Sequence, residues 1–246
     1  MKLVVVGGTG LVATELISQG LRVPEITSLV ALARRPVQLD VDASDASKFE
    51  SVVVRDYAHY SDSVKAALAG ADACIWTVGI TLGRSNTYDF AEVKRVCQDC
   101  TMAGLAALRE ANSAAPRPLK FVYLSGHGIS QDFTTKPLIM GEYRTMRGQT
   151  EKMVQDFGRD HKEVEVQIVR PGMVLSYINT WRTIQANMLR ASNYITNSVA
   201  NVDRAELAAA LLDQVTYGFE KDILSNADLV RIGGSAITKE TSTEHV

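Results

Sequence analysis

Seven residues near the N-terminus, Gly7-Gly8-Thr9-Gly10-Leu11-Val12-Ala13, carry the clearest chemistry in the chain. They follow a short apolar run, Leu3–Val6, and lead into Leu11–Gln19, whose apolar spacing fits a helix. Glycines at 7 and 10 permit a tight turn and let backbone approach a ligand closely. Small Ala13 lets the helix pack on the strand, and the free amides of the helix N-terminus offer donors to phosphates. Gly7, Thr9, Gly10, Leu11 and Val12 are therefore expected to hold the pyrophosphate of a dinucleotide. The end of the second strand selects among dinucleotides. It reads Leu32-Ala33-Arg34-Arg35-Pro36, with no carboxylate before Asp40. An acidic residue there would serve a ribose 2′-hydroxyl, whereas a guanidinium suits a 2′-phosphate and can stack on adenine. Arg34 and Arg35 favour NADP(H) over NAD(H), the alternative being a solvated pair of surface charges.

Other reactive side chains say less. Cys97-Gln98-Asp99-Cys100 has metal-like spacing but falls inside a predicted helix with no second ligand pair, and His59, His127, His161 and His245 are scattered. No metal site is expected, and the cysteines read as packing residues. Arg84-Ser85-Asn86 either approaches substrate or cofactor or forms a solvated loop. Trp181, Met188 and Tyr194 either line an apolar pocket or serve core and subunit contacts.

The elements that must position these groups follow from composition and rhythm. The chain has 246 residues, 46% hydrophobic and 22% charged, with a net charge of −2. That balance fits a globular protein and gives no electrostatic reason to expect nucleic acid or an anionic membrane as partner. No run of 18 apolar residues occurs, Leu3–Val6 is too short for a signal-peptide core, and three cysteines make no disulfide framework. A cytoplasmic protein with a small-molecule substrate is the expectation. Leu3–Val6, Ser28–Leu32, Ser51–Val54, Ala73–Val78, Lys120–Leu124 and Val164–Val169 read as strands, mostly apolar throughout. Between them Leu11–Gln19, Ser63–Leu68, Ala91–Asn112 and Tyr143–Phe157 read as helices. Such alternation predicts an α/β fold, a single Rossmann-like doubly wound parallel sheet with helices on both faces. One domain over residues 1–246 is expected. Asp203 and Glu206 mark the start of a late helix, Ala205–Tyr217. Leu229–Ile232 is predicted as a last strand, and 239–246 as a flexible tail. The polar and aromatic stretch 176–200 breaks the rhythm and is expected to form a substrate-side segment.

Taken in order, Gly7–Ala13, Arg34-Arg35-Pro36, Arg55-Asp56-Tyr57, Thr77-Val78-Gly79, Phe121–Ser125, Tyr143–Gly148 with Glu151, and Val169-Arg170-Pro171-Gly172 resemble the short-chain dehydrogenase/reductase superfamily. More narrowly they resemble its atypical Tat-interacting-protein-like and negative-transcriptional-regulator-like members. The resemblance covers about three quarters of the chain. It implies that Asp56 or Tyr57 flanks the adenine, that Val78 and Gly79 lie along the ribose and pyrophosphate, and that Pro171, Gly172 and Val174 border the nicotinamide. It also implies a homodimer built on the long central helices.

The same resemblance supplies a catalytic expectation and two departures from it. In that superfamily a tyrosine is the general acid, a lysine four residues on holds the nicotinamide ribose, and a serine polarises the substrate carbonyl. Tyr143 matches the tyrosine, and one helical turn brings position 147 to the same cleft. That position holds Arg147, whose permanent charge can favour tyrosinate but whose fork is broader than an ammonium. Gly126 stands at the usual serine position, leaving Ser125 and His127 as neighbouring substitutes. An NADP(H)-dependent oxidoreductase acting on a small carbonyl, alcohol or conjugated substrate is the expected function. The alternatives are a non-redox isomerase or cyclase in the same pocket and a redox-silent NADP(H)-binding sensor.

Overall fold

Strands that are apolar along their whole length need cover on both faces, and each of the central ones has it. The computed structural model describes residues 1–38, 47–129, 131–133, 140–175 and 200–243. Six strands, with described helices between all but the second and third, are β1 (Lys2–Val6), β2 (Ser28–Ala33), β3 (Phe49–Val53), β4 (Ala73–Trp76), β5 (Leu119–Leu124) and β6 (Val164–Val169). A small pair, β7 (Met173–Leu175) and β8 (Asn201–Asp203), and a short β9 (Ile223–Leu224) follow. The helices are α1 (Leu11–Gly20), α2 (Asp62–Leu68), α3 (Leu82–Ser85), α4 (Phe90–Lys94), α5 (Cys100–Ala111), α6 (Gly141–Asp160), α7 (Arg204–Tyr217) and α8 (Asn226–Thr243). A wide π turn, Arg95–Asp99, joins α4 to α5.

The large sheet runs β3-β2-β1-β4-β5-β6-β9 with every described pair parallel. The chain winds outward from β1 to β3, then returns to the other side of β1 as β4. Loops leaving β1 and β4 therefore diverge, and a crevice opens beyond their carboxyl ends. On one face Leu16 and Ile17 of α1 and Leu211 of α7 bury Leu3, Val5 and Leu29. On the other, Leu105 and Leu108 of α5 and Val154 of α6 cover Trp76, Phe121 and Tyr123. Each such fully buried side chain contributes about 1.5–3 kcal/mol, which is why the sheet needs both layers. This is the doubly wound parallel fold read from the sequence.

The run Leu229–Ile232 is a correction: it lies inside α8 rather than forming a strand. A short apolar run cannot be told from a buried helix segment by pattern alone, and the deciding signal sits upstream. The Asp228 carboxylate accepts the Ser225 amide at 3.0 Å and the Asp228 amide donates to Ser225 Oγ at 3.3 Å, a reciprocal helix start. Leu229 and Ile232 then fall three apart on the face toward the core. Backbone of the expected tail is helical through Thr243. Of the stretch 176–200, all but Ala200 lies outside the described residues.

An ion pair fixes α6 to the sheet. The fully buried Glu151 carboxylate accepts from Arg170 Nε at 3.0 Å and Nη2 at 2.5 Å, just past the end of β6. Removing the carboxylate leaves the Arg170 guanidinium, 23% exposed, without its charged partner. Glu151→Gln is expected to lower the unfolding free energy by about 3 kcal/mol in urea denaturation. Adding Arg170→Met should recover much of that loss, because the cost lies in the orphaned cation; no recovery would assign the loss to packing instead.

Candidate functional site

The turn after β1 is built by backbone. Gly7 and Gly8 amides both donate to Leu32 O at 2.9 Å, and the Gly10 amide donates to Gly7 O at 2.7 Å. Gly7 has φ +96°, and a Cβ there would stand 2.5 Å from Thr77 Oγ1, so any side chain would collide with the end of β4. Thr77 Oγ1 is itself committed, donating to Val6 O at 2.7 Å. Helix α1 then starts after an extended Gly10 with no side-chain cap and no acidic residue in its first turn. Its first amides have no intrahelical acceptors. Leu11 is 47% exposed beside them. A phosphate fits that arrangement by charge, by donors and by space.

From this turn a cleft of about 750 Å³ extends across the carboxyl ends of β1, β4, β5 and β6. Gly10, Leu11 and Val12 line one end, and Val78 and Gly79 line the wall after β4. Ser125, Gly126 and His127 come from the loop after β5, Tyr143 and Arg147 from α6, and Pro171, Gly172 and Val174 from the chain after β6. Gly172 admits no side chain, since a Cβ would overlap the Ala200 carbonyl, and its amide donates to Asn226 Oδ1 at 2.7 Å. Thr9 is exposed in the glycine turn.

Tyr143 donates its hydroxyl to Ile80 O at 2.9 Å. Burial pushes its pKa above the ordinary phenol value, and the Arg147 charge pulls against that rise without cancelling it. Arg147 is 4% exposed, donates through Nη2 to Leu124 O at 2.8 Å, and lies 5.0 Å over the Tyr123 ring. Its Nη1 has no partner among the described residues and faces Gly79, where a Cβ would come within 3.3 Å. No carboxylate pairs with it among the described residues. Such an orphaned donor on a buried cation points to a ligand group in the cleft.

Position 126 is open: a Cβ on Gly126 would meet nothing within 4 Å. Ser125 Oγ is buried without a partner among the described residues, and His127 is exposed. Cys97, taken from sequence as packing alone, also receives the Ile80 amide at its Sγ (3.2 Å). Ile80 is thus held at both ends, by a thiol and by the Tyr143 phenol. All three cysteines are buried and free, and among the described residues no group of three metal-binding side chains forms.

The outer residues divide. Arg34 and Arg35 stand exposed past β2, with no ion pair among the described residues. Tyr57 is turned into the core, edge-on to Trp76 at 6.0 Å, with its phenol pushed up to about 12 by burial. Asp56 bonds the Ala58 amide, His59 and Arg95, an arrangement that holds its carboxyl below the usual range. Sequence reasoning missed Arg144, which lines the cleft beside Tyr143. Adjacent helical residues diverge by about 100°, so spacing gave no reason to place both in one site.

This topology with an uncapped glycine turn at the switch point defines a Rossmann-like dinucleotide-binding protein. The chain belongs to the NAD(P)H-binding family, whose profile matches residues 7–217. Over 76 residues it is 36% identical to leucinostatins biosynthesis cluster protein T of Purpureocillium lilacinum, a stretch covering 31% of this chain and 27% of that protein. A short-chain dehydrogenase/reductase of Saccharomyces cerevisiae superposes with TM-score 0.61 at 14% identity, covering 94% of this chain and 98% of that one. The dTDP-glucose 4,6-dehydratase DesIV of Streptomyces venezuelae, with NAD and TYD bound, gives 0.63 at 15%, covering 97% and 81%. These structures share the fold. Among the described residues no helix is long and apolar enough to cross a membrane.

Because its surroundings are empty, Gly126→Ser should leave the thermal midpoint within a degree or two, a change of less than about 0.5 kcal/mol. A large loss would mean that the loop after β5 needs glycine for its backbone.

Proposed function

We propose that this protein is an NADP(H)-dependent oxidoreductase acting on a small carbonyl, alcohol or conjugated substrate, with Tyr143 as the proton relay. The observation that carries this reading is the convergence of an uncapped glycine turn, a half-buried phenol and a buried guanidinium on one cleft. The residues present fit the cofactor: Gly7 keeps the turn open, the first amides of α1 are unpartnered within the helix, and Arg147 Nη1 lacks an acceptor. When bound, a reduced nicotinamide supplies the hydride. The chain supplies position and the proton.

In carbonyl reduction Tyr143 releases Ile80 O and donates its proton to the substrate oxygen as negative charge builds there. Burial keeps the phenol protonated at neutral pH, which suits an acid in this direction. Arg147 stabilises the phenolate left behind, and its unpartnered Nη1 would be the group to hold the nicotinamide ribose. Ser125 or His127 provides the hydrogen bond that a serine at 126 would otherwise make. Exposed Arg34 and Arg35 meet the 2′-phosphate. The buried free thiols suit a cytoplasmic setting, and α5 and α6 are the helices through which a homodimer would form.

A second reading, a redox-silent binding module, is favoured by two observations: no hydroxyl occupies position 126, and the Tyr143 hydroxyl already donates to Ile80 O. One measurement tests the cofactor that both readings share, and a second discriminates between them. By calorimetry NADPH should bind at least tenfold more tightly than NADH, and Arg34→Ala with Arg35→Ala should bring the two within about twofold; equal affinities in the unaltered protein would remove the role of the pair. Tyr143→Phe should slow NADPH oxidation by a carbonyl substrate about 100-fold or more at unchanged NADPH affinity. An unimpaired variant would end the relay assignment.

A further inference from the structure

The cleft that holds Tyr143 is lopsided in charge. Arg84, Arg144 and Arg147 line it together with His127, and among the described residues no Asp or Glu does. The whole chain carries −2, so three guanidiniums without a carboxylate are a local departure and not an echo of composition.

Not every one of these cations belongs to a cofactor. Arg147 is the group placed above beside the ribose. Arg144 stands elsewhere: its guanidinium lies 3.8 Å from where a Cβ on Gly128 would be, over the loop after β5. Strand β5 is two positions from β1 in the sheet, about 10 Å at the usual strand spacing, so Arg144 sits well away from the phosphate-binding turn. Neither Arg144 nor Arg147 has an ion-pair partner among the described residues. Glu142, two positions before Arg144, lies about 200° round the helix and is exposed. The cleft floor near this loop is apolar, with Leu82, Ile129, Met173 and Val174.

We infer that the substrate carries a carboxylate, gripped by Arg144 with His127 at the β5–α6 end of the cleft, on a small apolar body resting against Ile129 and Met173. The inference rests on the proposed cofactor site and adds the substrate class to it. A guanidinium presents two parallel N–H groups, which match the two oxygens of a carboxylate. One fork beside an apolar floor suits an organic acid better than a dianionic phosphate on a polar sugar.

The test is calorimetric titration of the protein, first with NADPH and then, with and without NADPH bound, with benzoylformate, its methyl ester and phenyl phosphate. Benzoylformate should bind at least tenfold more tightly than the ester and more tightly than phenyl phosphate. Arg144→Gln should reduce the acid-over-ester preference to within twofold, while NADPH affinity and the ester's own affinity stay unchanged. Equal binding of acid and ester, tighter binding of phenyl phosphate, no binding of any probe, or equal weakening of acid and ester by Arg144→Gln each overturns the assignment. If NADPH fails to bind yet Arg144 still discriminates acid from ester, the carboxylate subsite stands and the cofactor reading falls. If NADPH binds and no acid preference exists, only the carboxylate inference falls.

Discussion

The site depends on how three strand ends are knitted together at Gly7. The amides of Gly7 and Gly8 reach across to the last carbonyl region of β2, while the bare Gly7 Cα leaves room for Thr77 at the end of β4. Thr77 closes the knot by donating to β1 through Val6. Without a Cβ at position 7 these three ends can lie at sheet spacing and still let the chain turn sharply into α1. With one, either Thr77 or the turn has to move, and the first amides of α1 no longer point over the crevice. Every other feature of the cleft is measured from that corner.

The balance of effects at Tyr143 follows from burial and charge together. Desolvation raises the phenol's pKa more than the Arg147 charge lowers it. The guanidinium is held in place by two neutral partners. Nη2 serves the Leu124 carbonyl, and the ring of Tyr123 takes the face. Burial thus outweighs the neighbouring cation, and the phenol stays protonated rather than resting as a tyrosinate.

What could be read from the sequence was read where one signal dominated. Strands β1, β2, β4, β5 and β6 announce themselves because burial on both faces makes them mostly apolar, and α7 because Asp203 and Glu206 form both halves of its capping box. The glycine turn was legible because strand, turn and helix stand in an obligatory order. Leu229–Ile232 was misread because four apolar residues fit either element, although Ser225 and Asp228 carried the same capping signal that located α7. Strands β7 to β9 are two or three residues long and leave no period to detect. Tyr57 could not be placed from sequence, since whether a tyrosine beyond β3 faces a ligand or Trp76 depends on tertiary packing. Arg144 was hidden by helical geometry: only the path of the loop after β5 brings it to the cleft.

The peptide of Ile80 links these layers. Its amide is taken by Cys97 on the π turn, and its carbonyl receives the Tyr143 proton. A phenol has one hydrogen to give, so any substrate oxygen that uses Tyr143 must displace Ile80 O. That exchange swaps one neutral hydrogen bond for another, worth about 1 kcal/mol either way, until charge develops on the incoming oxygen and the new bond strengthens. The resting contact therefore opposes a neutral carbonyl only slightly and an emerging alkoxide hardly at all. Cys97 matters here because a thiol holding the amide keeps the Ile80 carbonyl from following the phenol as it turns. Cys97 sits within the wide turn at Arg95–Asp99, so that local irregularity before α5 carries the thiol that meets the Ile80 peptide, to whose carbonyl Tyr143 donates.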